Sequence, residues 1–358
     1  MTNYYNNVYI NNKYSLLAST KMNPVIKDNV DLNIDNYYLN EKTIELAESK
    51  YQELTIEGVI KKEGLTNLDI DLLISGDLQN QILASTLAAS KASIPTLGIY
   101  SACASFIEGI CIGSMYVNNS KNKVIVSSSS HNLVSEKQFR FPVEYGSIRK
   151  RTNTCTASGS ISILLSNKKS SIKVESSTIG KVVQTNHKDT NDMGSAMAPS
   201  CAEVIYKHLK DTKRNANYYD LILTGDLGEF GGKIVFEYLK RKYNIVLNNM
   251  VDSGTCFYKD KNIYAGASGP VCLPLYLFDY ILKLKKYKKI LVVGTGSLHS
   301  TLSSNLKVPI PSVSHAVSLE VIYWYIYFHF YFAVLFVQYH NLYLKKQSLL
   351  QDIWIHYL

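Results

Sequence analysis

The chain has 358 residues, of which 46% are hydrophobic and 19% charged, and this composition excludes an intrinsically disordered protein. The formal net charge is +9, with lysine supplying the excess, but no nucleic-acid-binding motif accompanies it, so nucleic acid is not an expected partner. The six cysteines form no CxxC pair and no histidine lies at metal-ligand spacing, which argues against a zinc site.

The first residues, MTNYYNNVYINNKY, contain no apolar signal core. Secretion is therefore not indicated, and we expect reduced thiols in a cytosolic setting. The first strong helical pattern covers residues 41–63. It ends near Gly64, where glycine suits the left-handed backbone that follows a helix.

An internal repeat organises the chain after this helix. Residues 71–78 read DLLISGDL and residues 220–227 read DLILTGDL, each an apolar strand that ends in a Gly-Asp turn. In a second pair, a strand from residue 123 leads to His131 and a strand from residue 289 leads to His299. Because helix-like segments separate the strands at 103–117, 200–210 and 233–242, the pattern predicts duplicated α/β halves with buried sheets.

These patterns divide the chain into three parts. We assign residues 1–165 to the N-terminal half, residues 166–320 to the C-terminal half and residues 321–358 to an atypical tail rich in apolar aromatic residues. Each half is expected to contain its own strands and helices in the same order.

A candidate nucleophile lies in the segment 97–112, LGIYSACASFIEGICI. A short strand, a turn of small residues and an apolar helix follow one another, which places Cys103 at a helix N-terminus. There the helix dipole and free N–H groups favour the thiolate, so we expect a lowered pKa for Cys103. The alternative is a small buried cysteine without chemical function.

The segment SACASFIEG resembles the nucleophile turn of thiolases and type III β-ketoacyl-acyl-carrier-protein synthases. That resemblance implies a thiolase-like fold of two βαβαβαββ halves, layered as an α-β-α-β-α sandwich, with Cys103 at the acylated position. The chain departs from the pattern twice, because residues 224–232 contain no histidine and residues 264–272 contain no asparagine. Losing a positioned acid/base costs about 10²–10⁴-fold in rate, and losing an oxyanion donor about another 10²–10³-fold.

Longer strings are more specific. Residues 70–81, 127–146, 192–199 and 218–227 together resemble the stage V sporulation protein AD family of spore-forming Firmicutes. The resemblance implies a non-enzymatic subunit that binds dipicolinic acid within the SpoVA membrane assembly, supporting uptake into the forespore and release at germination. A Cys103-dependent acyltransferase of the type III synthase class is the alternative.

The same resemblance sets expectations about location and partners. The protein is expected to be cytoplasmic before assembly and then peripheral on the inner membrane of the forespore and spore, in contact with other SpoVA subunits. No cofactor is expected, although calcium can enter as the dipicolinate chelate. Thiolase-like proteins often pair through their sheets, which leaves both a monomer and a homodimer open.

The segment 131–145 contains side chains suited to a flat dicarboxylate. Arg140 can hold a carboxylate through two parallel N–H bonds, and His131 and Gln138 can donate to the other. Tyr145 can stack on the ring, as can the neighbouring Phe141, while Cys103 and its helix start form the floor. The alternatives are a surface ion pair for Arg140 and a structural role for His131.

Three further candidates lie outside this segment. Asp77, like its repeat partner Asp226, is interpreted as a turn cap, with the pocket as the alternative. In DMGSAMAP, Asp192 is interpreted as a helix N-cap and the small residues as close helix packing, whereas Gly194 and Ser195 are the alternative candidates for the pocket entrance.

Two segments remain without an assigned function. Residues 321–337, VIYWYIYFHFYFAVLFV, are shorter than the roughly 20 apolar residues that a spanning helix needs, and the family lacks them. A frameshifted or read-through extension, a membrane anchor and a core or interface element are all open. The lysines at 285, 286, 288 and 289 are interpreted as solvated helix ends, with attraction to an acidic membrane surface or an anionic ligand as the alternative.

Overall fold

The strands follow the apolar, β-branched runs of the sequence. The computed structural model describes residues 1–18, 23–139, 149–260 and 264–323, and its folded unit is Met1–Val321. The strands are β1 (Thr2–Tyr4), β2 (Tyr9–Ala18), β3 (Leu32–Ile34), β4 (Leu72–Gly76), β5 (Thr96–Gly98), β6 (Val124–Ser130), β7 (Cys155–Thr156), β8 (Gly159–Ser166), β9 (Ile172–Ile179), β10 (Val183–Gln184), β11 (Leu221–Thr224), β12 (Met250–Asp252), β13 (Ala267–Ser268), β14 (Lys289–Ser297) and β15 (Pro311–Val321).

The helices form where the sequence has helical periodicity and caps. They are α1 (Ile44–Lys62), α2 (Leu83–Ala92), α3 (Ser105–Val117), α4 (Asn132–Phe139), α5 (Met193–Thr212), α6 (Gly228–Tyr243), α7 (Ser253–Cys256), α8 (Cys272–Tyr276) and α9 (Thr301–Asn305). α1 confirms the helix predicted at 41–63: the hydroxyl of Thr43 accepts from the backbone of Leu46, and Gly64 has a φ of 65°. The helices predicted at 103–117, 200–210 and 233–242 correspond to α3, α5 and α6.

The main sheet has the duplicated order that the repeat predicts. Its strands run β12-β11-β14-β15-β9-β2-β8-β6-β4-β5. Counted along the chain, each half has the order third, second, fourth, fifth, first. The halves meet where β2 pairs antiparallel with β9, with Tyr9 opposite Lys173 and Ile10 opposite Ile172. This arrangement of two related α/β halves is a thiolase-like fold.

α3 lies between the two halves. It packs on β4, β6 and β8 of the N-terminal half and on β9, β14 and β15 of the other. Its buried positions include Phe106, Ile107 and Ile110. Glycines of β14 permit this packing, because a Cβ at Gly296 would lie 2.0 Å from the carbonyl oxygen of Ser101. The start of α3 is therefore fixed by residues from both halves.

α5 and α6 pack closely through glycines. A Cβ at Gly194 would lie 2.2 Å from the carbonyl oxygen of Leu227, and one at Gly231 would lie 2.7 Å from that of Gly194. The side chain of Asp192 accepts from the backbone N–H of Ser195, which confirms it as the N-cap of α5. Close helix packing is thus the role that the contacts of Gly194 support.

This contact can be tested with neighbouring glycines of α6. Gly231→Ala should destabilise the fold by about 1–3 kcal/mol, because the new methyl group meets backbone atoms. Gly232→Ala should stabilise it by about 0.5–1 kcal/mol, because no atom lies within 4 Å of the new Cβ and alanine favours a helix. Urea unfolding of both variants measures the difference, and equal effects would contradict the packing argument.

The tail is largely outside the described residues, which end at residue 323. Val321 belongs to β15, where its N–H donates to the carbonyl oxygen of Lys288. Among the helices of the described ranges, none combines the length and the apolar character needed to cross a bilayer.

Candidate functional site

A cavity opens at the carboxyl ends of the parallel strands, beside the turn that precedes α3. The space between its walls, counted together with the solvent at its open mouth, is about 760 Å³. Both halves contribute residues. The lining side chains used below are Tyr100, Cys103, Glu136, Phe139, Arg149, Thr154, Ser268 and His299.

Cys103 lies on the floor of this cavity, as the sequence predicts. A single 3₁₀ turn, Ala102–Ala104, carries it, and α3 begins at Ser105. Ala102 has a φ of 50°, so the chain turns sharply just before the thiol. The hydroxyl of Ser105 accepts from the backbone N–H of Ser101 at 2.9 Å and donates to the carbonyl of Ala102, which fixes the turn.

The carboxyl group of Asp226 lies beside the Cys103 thiol. Asp226 is 1% exposed and has a φ of 64°. Its Oδ2 accepts from the backbone N–H of Gly269 at 3.1 Å, whereas its Oδ1 accepts no hydrogen bond from the described residues. The expectation that Asp226 caps its own turn is wrong, because Asp252 accepts from the N–H groups of Leu227 and Gly228 instead.

This neighbour reverses the expected chemistry of the thiol. Burial and the nearby charge of Asp226 raise the pKa of Cys103 well above its ordinary value. The predicted fall in pKa is therefore wrong: the α3 N-terminus is close, but removal from water and a carboxyl group outweigh its dipole. Burial also raises the pKa of Asp226, so a neutral thiol faces a carboxyl group that favours its own proton.

One wall of the cavity contains an arginine. The guanidinium of Arg149 forms an ion pair with Glu136 at 2.6 Å and donates to the sulfur of Cys155 at 3.3 Å. It also lies 5.5 Å from the ring centroid of Tyr264. These contacts hold a partly buried cation at the cavity, where a carboxylate of a bound molecule can reach it.

The cavity lining also contains His299. Its Nδ1 is 3.1 Å from the hydroxyl of Ser297, and its Nε2 has no hydrogen-bond partner among the described residues. The ring lies 5.2 Å from that of Phe139, centroid to centroid. Burial lowers the pKa of His299, so the neutral ring offers one nitrogen to the cavity. Nearby, the hydroxyl of Thr154 donates to that of Ser268 at 2.8 Å.

His131, by contrast, is fully buried away from the lining of this cavity. Its Nε2 is 3.2 Å from the carbonyl oxygen of Tyr37, its Nδ1 accepts from the N–H of Leu133, and its ring stacks on that of Tyr51. Burial lowers the pKa of His131 to about 4, so it is neutral near pH 7. These contacts support the structural role that was the alternative interpretation of His131.

Gln138 and Asp77 also lie outside the cavity lining, and both form hydrogen bonds with other residues of the chain. Gln138 donates to the carbonyl of Leu78 at 2.7 Å and so supports a residue that does line the cavity. Asp77 accepts from the N–H groups of Gln79 and Ser85, which confirms its interpretation as a turn cap.

The remaining predicted residues divide into two groups. Arg140, Phe141 and Tyr145 lie outside the described residues. Gly194 and Ser195 lie in the first turn of α5, where they are not part of the lining, although the preceding Met193 is. Among the predicted residues that the structure describes, only Cys103 lies in the cavity wall, with Gln138 behind it.

Sequence reasoning missed Arg149, His299 and the orientation of Asp226. His299 had a usable signal, because the repeat makes it the counterpart of His131. Arg149 stands in the basic run Arg149-Lys150-Arg151, which offers no pattern that separates an inward side chain from outward ones. Only the fold brings these residues to one cavity.

Behind the cavity, Asp77 interacts with a second buried carboxyl group, that of Glu48. Glu48 is 1% exposed and accepts from the amide of Gln79 at 3.0 Å and the hydroxyl of Ser129 at 3.2 Å. Burial and the charge of Asp77 raise its pKa well above 4.5. The protonated form is thus favoured in the folded protein, and its contribution to stability is lost as pH rises from 4.5 through the folded-state pKa.

Glu48→Gln should therefore stabilise the fold, and more at pH 8 than at pH 5. Glutamine keeps an acceptor for Gln79 and cannot ionise. Urea unfolding at the two pH values measures the difference between variant and wild type. A difference that does not change with pH would show that Glu48 ionises as readily in the folded chain as in the unfolded one.

The chain matches known proteins over this whole unit. The family described as stage V sporulation protein AD (SpoVAD) matches residues 2–320. The "Stage V sporulation protein AD" of Bacillus subtilis (strain 168) is 36% identical over 313 residues, covering 85% of this chain and 93% of the relative.

Solved structures of condensing enzymes share the fold at low identity. A cerulenin-bound OleA of Xanthomonas campestris is 13% identical, with a TM-score of 0.57, covering 89% of this chain and 100% of that one. The 3-oxoacyl-[acyl-carrier-protein] synthase III of Aquifex aeolicus VF5 is 13% identical, with a TM-score of 0.51, covering 87% and 99%. At this identity, the likeness concerns the fold alone.

Proposed function

This chain belongs to the stage V sporulation protein AD family, and on that premise we propose that it binds dipicolinic acid in the cavity above Cys103 without transforming it. The observation that carries the proposal is the meeting of Arg149 and His299 at one cavity with aromatic walls. Dipicolinate is a flat pyridine ring with two carboxylates, so a site for it needs a cation, further donors and a flat apolar surface.

The described residues meet each of these needs. Arg149 can donate to one carboxylate through parallel N–H bonds. The hydroxyl of Ser268, which accepts from that of Thr154, keeps its own proton and can donate to the other carboxylate. Phe139 and Tyr100 offer rings against which the pyridine can pack. Arg140 and Tyr145, which lie outside the described residues, keep their proposed roles as a carboxylate donor and a ring contact.

The cavity floor favours binding over catalysis. A condensing enzyme needs a thiolate and a positioned acid/base, whereas here a neutral Cys103 faces the carboxyl group of Asp226. The repeat segment at 224–232 contains no histidine to take the proton. These features support a protein that holds a small diacid rather than one that forms carbon–carbon bonds.

Calcium would accompany the ligand rather than occupy a site of its own. A calcium chelate of dipicolinate presents a metal with open positions, and hard cations prefer oxygen ligands. Glu136 is a lining carboxylate that can reach such an ion if the ligand displaces it from Arg149. We further propose a peripheral location on the inner membrane of the forespore and spore, in contact with other SpoVA subunits.

Calorimetric titration of the full chain with dipicolinate tests the ligand assignment. We expect saturable binding to one site, with weaker binding of picolinate, which lacks the second carboxylate. Titrations with and without calcium distinguish binding of the free acid from binding of its calcium chelate. An absence of heat at several temperatures, with the fold shown intact by circular dichroism, would remove dipicolinate as the ligand.

A further inference from the structure

The end of the C-terminal half opposite the cavity is strongly basic. β11 and β14 run parallel, with Leu221 opposite Ile290, so both begin at the same edge of the sheet. α5 and α6 end at that edge, because each leads into the start of a parallel strand. We call this region the basic pole and define it by six exposed lysines: Lys210, Lys213, Lys240, Lys283, Lys286 and Lys288.

Side-chain contacts connect two of the segments that form the pole. The guanidinium of Arg214 lies 4.0 Å from the ring centroid of Tyr218, and the ammonium of Lys289 lies 5.6 Å from the same ring. The backbone N–H of Lys288 donates to the carboxylate of Asp220 at 2.7 Å. The end of α5 and the start of β14 are thereby tied together.

Three carboxylates near the pole are already engaged: Asp220 accepts from the backbone N–H groups of Lys288 and Lys289, and Glu203 and Glu175 have cationic partners. Glu203 pairs with Lys242 at 2.7 Å, and Glu175 pairs with Lys289 at 2.9 Å. None of the six pole lysines forms an ion pair with another residue in the part of the chain that the structure describes. Their charge is therefore available to an outside partner.

The cavity end differs in this respect. There Lys137 pairs with Glu45 at 2.7 Å and Lys150 pairs with Asp189 at 2.7 Å. Arg149 pairs with Glu136. Positive charge at the cavity end is thus partly neutralised within the fold, whereas at the basic pole six lysines add to the net charge of +9.

Compensation of helix dipoles explains only part of this charge. Lysine is favoured in the last turn of a helix, which accounts for Lys210 in α5 and Lys240 in α6. Lys213 is the C-cap of α5, but Lys286 and Lys288 lie beyond the helical turn that ends at Leu284, where the dipole effect is weak. An excess of cations that the fold does not need indicates an anionic partner.

Exposed apolar side chains accompany the lysines. Leu284, which follows Lys283 in the chain, is 48% exposed. Val246, which lies beyond the end of α6, is 45% exposed. β15 also ends here, at Val321. Cations interspersed with exposed leucine and valine suit a bilayer interface, where headgroups meet the lysines and acyl chains meet the apolar groups.

We propose that the basic pole docks this protein directly on a bilayer surface rich in anionic headgroups, with Leu284 reaching the acyl boundary. The cavity lies at the other ends of the same strands, so docking leaves its mouth on the side away from the lipid. The proposal shares a membrane location with the proposed function but is independent of ligand binding.

Flotation of the full chain with vesicles tests it. We expect binding to vesicles of phosphatidylcholine with 30 mole per cent phosphatidylglycerol, little binding to pure phosphatidylcholine, and weakening as salt rises. The variant K283Q/K286Q/K288Q should bind the anionic vesicles about a hundredfold more weakly, at roughly fivefold per lysine. The matched control K27Q/K188Q/K259Q removes the same net charge from exposed lysines elsewhere and should bind as wild type.

Three outcomes would overturn the proposal. They are equal binding to both kinds of vesicle, equal losses in the two triple variants, and binding to soluble polyglutamate as tight as binding to the anionic vesicles. The last would favour an acidic protein as the partner.

L284W adds a readout of insertion, since its fluorescence should shift to the blue only with anionic vesicles. Because the pole lies far along the strands from the cavity, K283Q/K286Q/K288Q should bind dipicolinate normally, which separates this test from that of the ligand.

Discussion

Arg149→Ala is expected to weaken dipicolinate binding by about 2–5 kcal/mol, which is roughly 30-fold or more in affinity. The substitution removes the cation that would meet one ligand carboxylate. It also ends the 2.6 Å ion pair of Arg149 with Glu136, so the charge of Glu136 then repels a dianion. Calorimetric titration of the variant against wild type gives the loss directly.

The neighbouring residue Arg151 provides the matched control. It is exposed and does not line the cavity, so Arg151→Ala should change affinity by less than about twofold while altering net charge equally. Arg149→Lys should fall between the two, because lysine keeps the charge but not the parallel N–H pair. Unchanged dipicolinate affinity in Arg149→Ala would show that the ligand does not bind at this wall.

Arg140→Ala then tests the other arginine. We expect a similarly large loss of dipicolinate affinity if Arg140 binds a carboxylate.

The Cys103 thiol should react far more slowly than a free thiol with iodoacetamide at pH 7. Its pKa is raised by burial and by Asp226, and each unit of increase lowers the thiolate fraction about tenfold. Asp226→Asn should accelerate alkylation at pH values where Asp226 is ionised, because asparagine can still accept from the N–H of Gly269 but carries no charge. Mass spectrometry of the peptide that contains Cys103, followed over time and pH, measures both rates.

Cys256 provides a comparison within the same molecule, since it is partly exposed, as Cys103 is, and burial raises its pKa as well. Alkylation of Cys103 as fast as that of a free thiol would contradict the electrostatic argument. Incubation with acyl-coenzyme A thioesters addresses the acyltransferase alternative, for which we expect no added mass on Cys103. Acylation there would restore the condensing-enzyme interpretation that the fold permits.

The repeat predicted the backbone of this protein better than its side-chain contacts. The octapeptides at 71–78 and 220–227 form equivalent strands and turns, as their shared sequence indicates. Asp77 caps its own turn, whereas Asp226 turns to Gly269 because Asp252 already takes the N–H groups at the start of α6. Local sequence determines a strand and its turn, but the partner of a buried carboxyl group depends on residues far along the chain.

The two histidines of the second repeat pair show the same limit. His131 and His299 follow equivalent strands, β6 and β14. His131 is enclosed by Tyr37 and Tyr51, which the N-terminal half supplies, while His299 meets Phe139 and the cavity. No feature of the two loops foretells this difference. The candidate site is built from both halves, and its residues could not be selected from either half alone.

The position of β15 has a consequence for synthesis on the ribosome. This strand pairs with β14 on one side and β9 on the other, yet it is the last strand of the folded unit. Until Val321 has left the ribosome, β12, β11 and β14 have no partner that joins them to the remainder of the sheet. The nascent chain must therefore keep two sheet fragments soluble and separate until the closing strand inserts between them.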